Sequence, residues 1–302
     1  MRICSFLPSA TEILFALGLG DSVAGVTHEC DFPPEAAKRP VLVRPRVDAE
    51  SRPEEVDRIV SEFMARGESL YGVDLALLRA IEPDLILTQD LCHVCAASPD
   101  DLVAALSGVS RAPQVLSLTP HTIGDVLGDI RKVGEATGRS KEAERYVRAL
   151  EQRLADVEGS VADSQERPRV LCLEWLDPPY AAGHWVPEMV ERARGLDFLG
   201  CAGKPSFRVE WAAVAAARPE IIIVMPCGYN IERTIYELNK MVYPKEWSTL
   251  PAVQRDRVFV VDANSYFSRP GPRLVAGVAL LAKILHPACA VPFVPPGAIY
   301  RL

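Results

Sequence analysis

The run over residues 140–159, S-K-E-A-E-R-Y-V-R-A-L-E-Q-R-L-A-D-V-E-G, limits what this chain can fold into more than any other stretch. Ala143, Tyr146, Val147, Leu150, Leu154 and Val157 recur at three- and four-residue steps, Glu, Arg, Gln and Asp fill the other faces, and no Pro or Gly interrupts before Gly159. That pattern predicts one long helix, capped at Ser140 and stopped at Gly159. At 1.5 Å per residue it would span roughly 30 Å, the width of a small domain. It lies near the midpoint of 302 residues, a length beyond what one core usually serves. The expectation is a lobe over residues 1–138, a linker helix over 139–160, and a second lobe over 161–302 that ends in a Pro-rich tail.

Short apolar runs at residues 2–6, 23–26, 85–88 and 115–118 read as buried strands of the first lobe, with helices over 11–17 and 75–81. The second lobe repeats the alternation, with strands at 169–173, 221–224 and 258–261, helices at 187–193 and 212–217, and a closing helix over 272–285. Such alternation predicts an α/β fold with mainly parallel sheets. Glu82-Pro83-Asp84-Leu85-Ile86-Leu87-Thr88 matches Arg218-Pro219-Glu220-Ile221-Ile222-Ile223-Val224, and a cysteine follows each, Cys92 and Cys227. The lobes are therefore expected to be related, with a ligand cleft between them. A single stiff helix joining them predicts little lobe motion on binding.

A net charge of -7 without a basic block argues against nucleic acid or an anionic membrane as the main partner, and favours a small molecule or another protein. The N-terminus lacks the regions of a secretory leader, and no apolar run is long enough to cross a bilayer. As written the chain reads as cytoplasmic, and as periplasmic or cell-surface if a leader has been removed. The nucleophile-elbow and phosphate-loop patterns are absent, and Ser9 lacks a partnered base, so nothing supports an enzyme.

In open α/β sheets, ligands sit at the C-terminal ends of the strands. The loops expected there are residues 8–11, 27–31 and 89–95 in the first lobe, and 174–185, 227–230 and 265–269 in the second. The segments S-F-L-P-S-A-T-E-I-L-F-A-L-G, H-E-C-D-F-P-P-E-A, E-P-D-L-I-L, L-D-P-P-Y-A-A-G and S-Y-F-S-R-P-G-P-R-L occur in that order. Together they resemble the cobalamin-binding proteins of ABC importers, members of the helical-backbone, class III periplasmic-binding-protein-like superfamily. The resemblance covers residues 4–285 and implies two α/β lobes bridged by a rigid helix, a corrinoid held by aromatic side chains, an ABC permease as partner, and no catalysis. By position, Tyr180 matches an aromatic that packs on the ligand and Arg269 a polar contact. This chain departs from the family at Gln89 with Cys92-His93-Val94-Cys95, and at Glu29 with Cys30, where the importer receptors place aromatics.

Tyr180, Trp185, Tyr229, Tyr266 and Phe267 would suit a flat macrocycle, although loop aromatics also cap cores. Arg269 would hold a phosphate or amide of the ligand, or a neighbouring carboxylate, and Gln89 stands at the same strand ends. Cys92 and Cys95 form a C-x-x-C that Cys227, His184, His93 and Cys30 could complete. Thiolates with imidazole would favour zinc, iron or an iron-sulfur centre, or could meet the cobalt of a corrinoid; the alternative is that small cysteines simply pack. Cys4, Cys172 and Cys289 read as core or structural, and Glu12 and Glu188 as solvated helix starts. The leading expectation is a non-catalytic binding protein for cobalamin or a related corrinoid or tetrapyrrole, serving transport or corrinoid handling inside the cell. The alternatives are a cytosolic Cys/His metal-binding or redox protein using the same cleft, and a siderophore or haem receptor.

Overall fold

The structure, a computed structural model, describes residues 1–46, 53–66, 70–89 and 111–302. The chain forms two compact units, one of residues 1–120 with 124–147 and the other of residues 121–123 with 148–302. Each is α/β.

In the first unit the described strands are β1 (Ile3–Ser5), β2 (Val23–Thr27), β3 (Val41–Pro45), β4 (Tyr71–Val73), β5 (Leu85–Gln89) and β6 (Gln114–Leu118), in the order β4-β3-β2-β1-β5-β6. All neighbours run parallel except β3 and β4. Helices α1 (Pro8–Ala16), α2 (Pro53–Arg66) and α3 (Leu75–Ile81) lie between strands. Ile3, Ile86 and Leu87 are fully buried, as expected of apolar runs too short to alternate and covered on both faces. α2, β3 and β4 are additions to the pattern read from sequence, because their apolar positions are few or flanked by Arg and Pro.

After α4 (Ile123–Ala136) comes the long helix α5, Ser140–Val161. Gly159 does not stop it; the helix runs on through Val161, and Ser140 is already its first residue. One glycine in a last turn costs only about 1 kcal/mol, which Val161, 1% exposed, offsets by burying its side chain. Ala143, Val147, Leu150, Leu154, Val157 and Val161 form a single buried stripe along α5. In the first unit, a methyl at Gly134 of α4 would run into the Ala143 side chain, so glycine there permits the close approach that seats the start of α5.

The second unit has β7 (Arg169–Trp175), β8 (Tyr180–Ala181), β9 (Leu196–Asp197), β10 (Phe207–Arg208), β11 (Ile221–Val224), β12 (Val258–Val261) and β13 (Ile299–Arg301). Their order is β10-β8-β7-β11-β12-β13, with β9 on β7. β7, β9, β11 and β12 run parallel, β8 and β13 pair antiparallel with β7 and β12, and β10 pairs antiparallel with β8. The Pro-rich tail ends as β13, pairing Ile299 with Val261 and Arg301 with Phe259. Helices α6 (Val186–Arg192), α7 (Trp211–Ala217), α8 (Ile231–Leu238), α9 (Pro251–Gln254), α10 (Ala263–Tyr266) and α11 (Leu274–Leu285) complete it. α11 is almost entirely buried, including Leu274, Val278, Leu280, Leu281 and Leu285.

The internal repeat is visible atom by atom. Glu82 and Arg218 each cap a helix in the left-handed region, at φ 45° and 49°, and each is followed by Pro, an acid and a buried strand. Asp84 and Glu220 then do the same job: each carboxylate accepts from the backbone N–H that opens the neighbouring strand, Arg2 at 2.7 Å and Arg169 at 2.9 Å. That bond holds the Asp84 carboxyl below its usual pKa. A non-glycine residue in the left-handed region costs about 1 kcal/mol. Arg218→Gly is therefore expected to raise the unfolding free energy by about 1 kcal/mol at most, read as a higher urea midpoint; a lower midpoint would show that the Arg218 side chain outweighs its backbone strain.

Candidate ligand site

Because β7, β11 and β12 are parallel, their C-terminal ends share one edge of the second sheet, and the loops leaving them are knitted together. Cys227 N–H donates to Glu174 O at 3.0 Å, Asn264 N–H to Tyr229 O at 3.0 Å, and Gly228 N–H to Ser268 Oγ at 3.1 Å. This network holds the half-buried rings of Trp175, at the end of β7, and Tyr229, after β11, 5.4 Å apart and tilted by 60°. Asn230 caps α8 by accepting from Arg233 N–H, which sets Arg233 back over Tyr229. The guanidinium lies 5.4 Å from the Tyr229 ring and 5.7 Å from the Tyr236 ring, and pairs with the buried Glu237 carboxylate at 2.8 Å. Such cation-on-ring contacts hold both partners in place. Burial raises the Tyr229 pKa, so its hydroxyl stays protonated at neutral pH.

The expected site residues divide by burial. Tyr180 in β8, Tyr229 in the loop after β11 and Tyr266 at the end of α10 are half-buried, and Arg273 lies 5.8 Å from the Tyr266 ring. Trp185, Phe267 and Arg269 are buried, at 4%, 2% and 7% exposure. The Trp185 indole donates to Phe267 O at 2.7 Å, tying α6 to the loop after β12. Trp175 lies in one of the loops expected at the strand ends but is not distinguished there by sequence, and Arg233 carries one signal in its Tyr-Asn-Ile-Glu-Arg context: an arginine one turn after an aromatic and a helix cap.

His184 is held at φ 50° by bonds on both sides, its N–H donating to Lys204 O at 2.5 Å and its carbonyl accepting from Gly203 N–H at 2.8 Å. Its ring stacks on Trp185 at 5.4 Å and lies 5.9 Å from His121, a residue no sequence pattern singled out. His184 Nδ1 is buried without a hydrogen-bond partner among the described residues, beside a cavity of about 10 Å³ lined also by Glu174, Phe267 and Ser268. That volume is about enough for one water. Burial, and then the neighbouring His121, lower the His184 pKa from the ordinary 6.5. Burial likewise lowers that of His286, whose Nδ1 lies 3.0 Å from Ser164 Oγ. Each imidazole resists protonation in the folded chain, so the unfolded chain binds more protons as pH falls past 6.5. Stability present above that pH is lost as pH drops through the depressed folded values. The urea midpoint should fall between about pH 7.5 and about pH 5.5. His184→Asn, which tolerates positive φ, should lessen that fall; an identical pH profile in the variant would refute the assignment.

In the first unit, Gln89 ends β5 and is 6% exposed. Cys30 is 3% exposed, its Sγ 3.1 Å from Thr11 Oγ1 and 3.4 Å from Thr27 Oγ1, so it ties α1 to the loop after β2. Cys92, His93 and Cys95 lie outside the described residues. Cys227 is half-buried in the second unit, as is His184. Among the described residues no three His, Cys, Asp or Glu side chains converge as metal ligands would. Cys4 and Cys172 are buried strand thiols; burial pushes Cys4 up to about 12 and Cys172 well above the ordinary value, which leaves both inert. Cys289 is half-buried and Cys201 exposed.

Neither Glu12 nor Glu188 is a solvated helix start. Glu12 is 4% exposed. Glu188 accepts from Ile123 N–H and from Arg192 Nε, both at 2.9 Å, while Arg192 also reaches Glu158 of α5 at 2.5 Å. Their polar ends found partners within the fold, which spacing alone does not reveal.

The periplasmic binding protein family profile matches residues 3–265. The chain belongs to the periplasmic binding protein family. Among relatives of this binding protein, an uncharacterized ABC transporter substrate-binding lipoprotein of Bacillus subtilis is 26% identical over 95% of this chain and 80% of its own length. A vitamin B12-binding protein of Vibrio cholerae is 23% identical over 94% of this chain and 88% of its own. Among solved structures, a periplasmic heme-binding protein from Roseiflexus sp. RS-1 superposes with a TM-score of 0.70 at 23% identity, over 95% of this chain and 98% of that one. The family and the α/β fold with mainly parallel sheets thus agree with the resemblance read from the motifs. No described helix is long and apolar enough to cross a membrane.

Proposed function

We propose that this protein is a non-catalytic substrate-binding component of an ABC-type transporter, that its ligand is cobalamin or another planar tetrapyrrole such as haem, and that its macromolecular partner is a permease. One observation carries the ligand class. Trp175 and Tyr229, with Arg233 over the tyrosine, form a preorganised, half-exposed aromatic and cationic surface where parallel strands end. A macrocycle offers a large apolar face to such rings, and its peripheral carboxylates or amides offer acceptors to a guanidinium. Tyr180 at the start of β8 and Tyr266 at the end of α10, both half-buried, extend the apolar contact. The names of the relatives support both a corrinoid and haem, and the aromatic surface favours neither.

The test is retention of colour. After incubation with cyanocobalamin or haemin and passage through a desalting column, the protein should emerge with about one chromophore per chain for at least one of the two. Colourless protein in both cases would sink the reading.

A further inference from the structure

The opposite edge of the second sheet carries a different feature. Arg257 precedes β12, whereas the candidate ligand loops follow it, so the two lie a strand's length apart. There, Arg255, Arg257, Lys283 and Arg301 surround an open depression of about 440 Å³ whose remaining lining is Phe259, Ile284, Pro287 and Ile299. That volume falls within the range of roughly 300–1,000 Å³ usual for small-molecule sites. The four cations occur together in a chain of net charge -7, and no carboxylate lines the depression.

Each is set by the fold. Arg255 closes α9, and the Arg257 carbonyl accepts from Ile222 N–H in β11 at 3.0 Å. Arg301 sits on β13 opposite Phe259, its Nε donating to Asp256 O at 2.6 Å. Lys283 Nζ caps the end of α11 through Pro287 O at 2.8 Å and Cys289 O at 3.4 Å. These partners are neutral carbonyls; among the described residues none of the four cations makes an ion pair. Elsewhere at the starts of these strands, Arg169 is matched by Glu220 at 3.8 Å. Charges that a fold leaves unmatched side by side repel one another, and a multivalent anion relieves that repulsion. Three guanidinium forks and an ammonium suit phosphate oxygens, while the ring of Phe259 and the side chains of Ile284 and Ile299 offer an apolar floor.

We propose that this depression binds a phosphate ester bearing an apolar group, the four cations holding the phosphate oxygens and Phe259, Ile284 and Ile299 receiving the apolar part. A soluble nucleotide and the headgroup region of an anionic phospholipid share that chemistry. The probes are ATP and inorganic pyrophosphate by calorimetry at low salt, and sedimentation with phosphatidylglycerol against phosphatidylcholine vesicles. Saturable ATP binding, tighter than pyrophosphate and weakened by salt, supports the site with a soluble ligand. Selective sedimentation with phosphatidylglycerol supports it with a lipid one. The Arg255 and Arg257 side chains make no bond within the described protein, so Arg255→Gln/Arg257→Gln should leave the unfolding midpoint unchanged while weakening either interaction by about tenfold or more. Binding of neither ATP nor phosphatidylglycerol overturns the proposal. So does a double variant that binds as the wild type does, or pyrophosphate bound as tightly as ATP by a protein that ignores vesicles.

Discussion

Trp185→Ala is expected to lower the unfolding free energy of the second unit by about 4 kcal/mol, because the indole is 4% exposed and large-to-small changes of buried tryptophans cost about 3–5 kcal/mol. Against a typical total of about 5–15 kcal/mol, that is a large fraction of the stability and should shift the urea midpoint well below that of the wild type. The substitution also strands the Phe267 carbonyl, which now accepts the indole N–H at 2.7 Å. Trp185→Phe separates the two terms: it restores most of the apolar contact but not the donor, and should cost about 1–3 kcal/mol. Urea denaturation followed by circular dichroism reads both. If the alanine variant unfolds at the wild-type midpoint, Trp185 is not part of the core and its role belongs to the ligand instead.

Trp175→Ala should act in the opposite way, leaving stability nearly unchanged and weakening the macrocycle. The ring is half-buried at the end of β7 and packs beside Tyr229, so its exposed part is available for contact. A central aromatic anchor at a binding surface is worth about 2 kcal/mol or more, which is roughly a thirtyfold rise in the dissociation constant. Arg233→Ala should weaken binding by less, since its guanidinium already shares itself between two rings and Glu237. Equal affinity in wild type and Trp175→Ala would remove these loops from the ligand site.

What could be read from sequence follows from what repeats. The stripe from Ala143 to Val157 gave α5, and the twin segments before Leu85 and Ile221 gave two related units, because helix period and buried apolar runs are local signals. The end of α5 was misread at Gly159, where packing of Val161 outweighs a glycine's weak preference. Strands β8, β9, β10 and β13 were not legible: they are two or three residues long and exist only through pairing with β7, β8 and β12. The candidate site could be read as a set of strand-end loops, whereas the burial of each side chain in them could not. Trp185 and Tyr229 look alike in a loop sequence, yet one is buried and donates to Phe267 O while the other is half-buried beside Trp175. The pairing of His184 with His121 joins positions 63 residues apart (184 − 121), and no spacing rule reaches that far.

The most direct measurement is an absorbance titration of the purified protein with cyanocobalamin and, separately, with haemin, followed through the shift of the ligand's own bands. A preformed aromatic surface predicts saturation at about one ligand per chain, in the micromolar range or tighter, for at least one of the two. No band shift for either ligand at about 10 μM protein, or a shift that never saturates, would contradict a macrocycle-binding function.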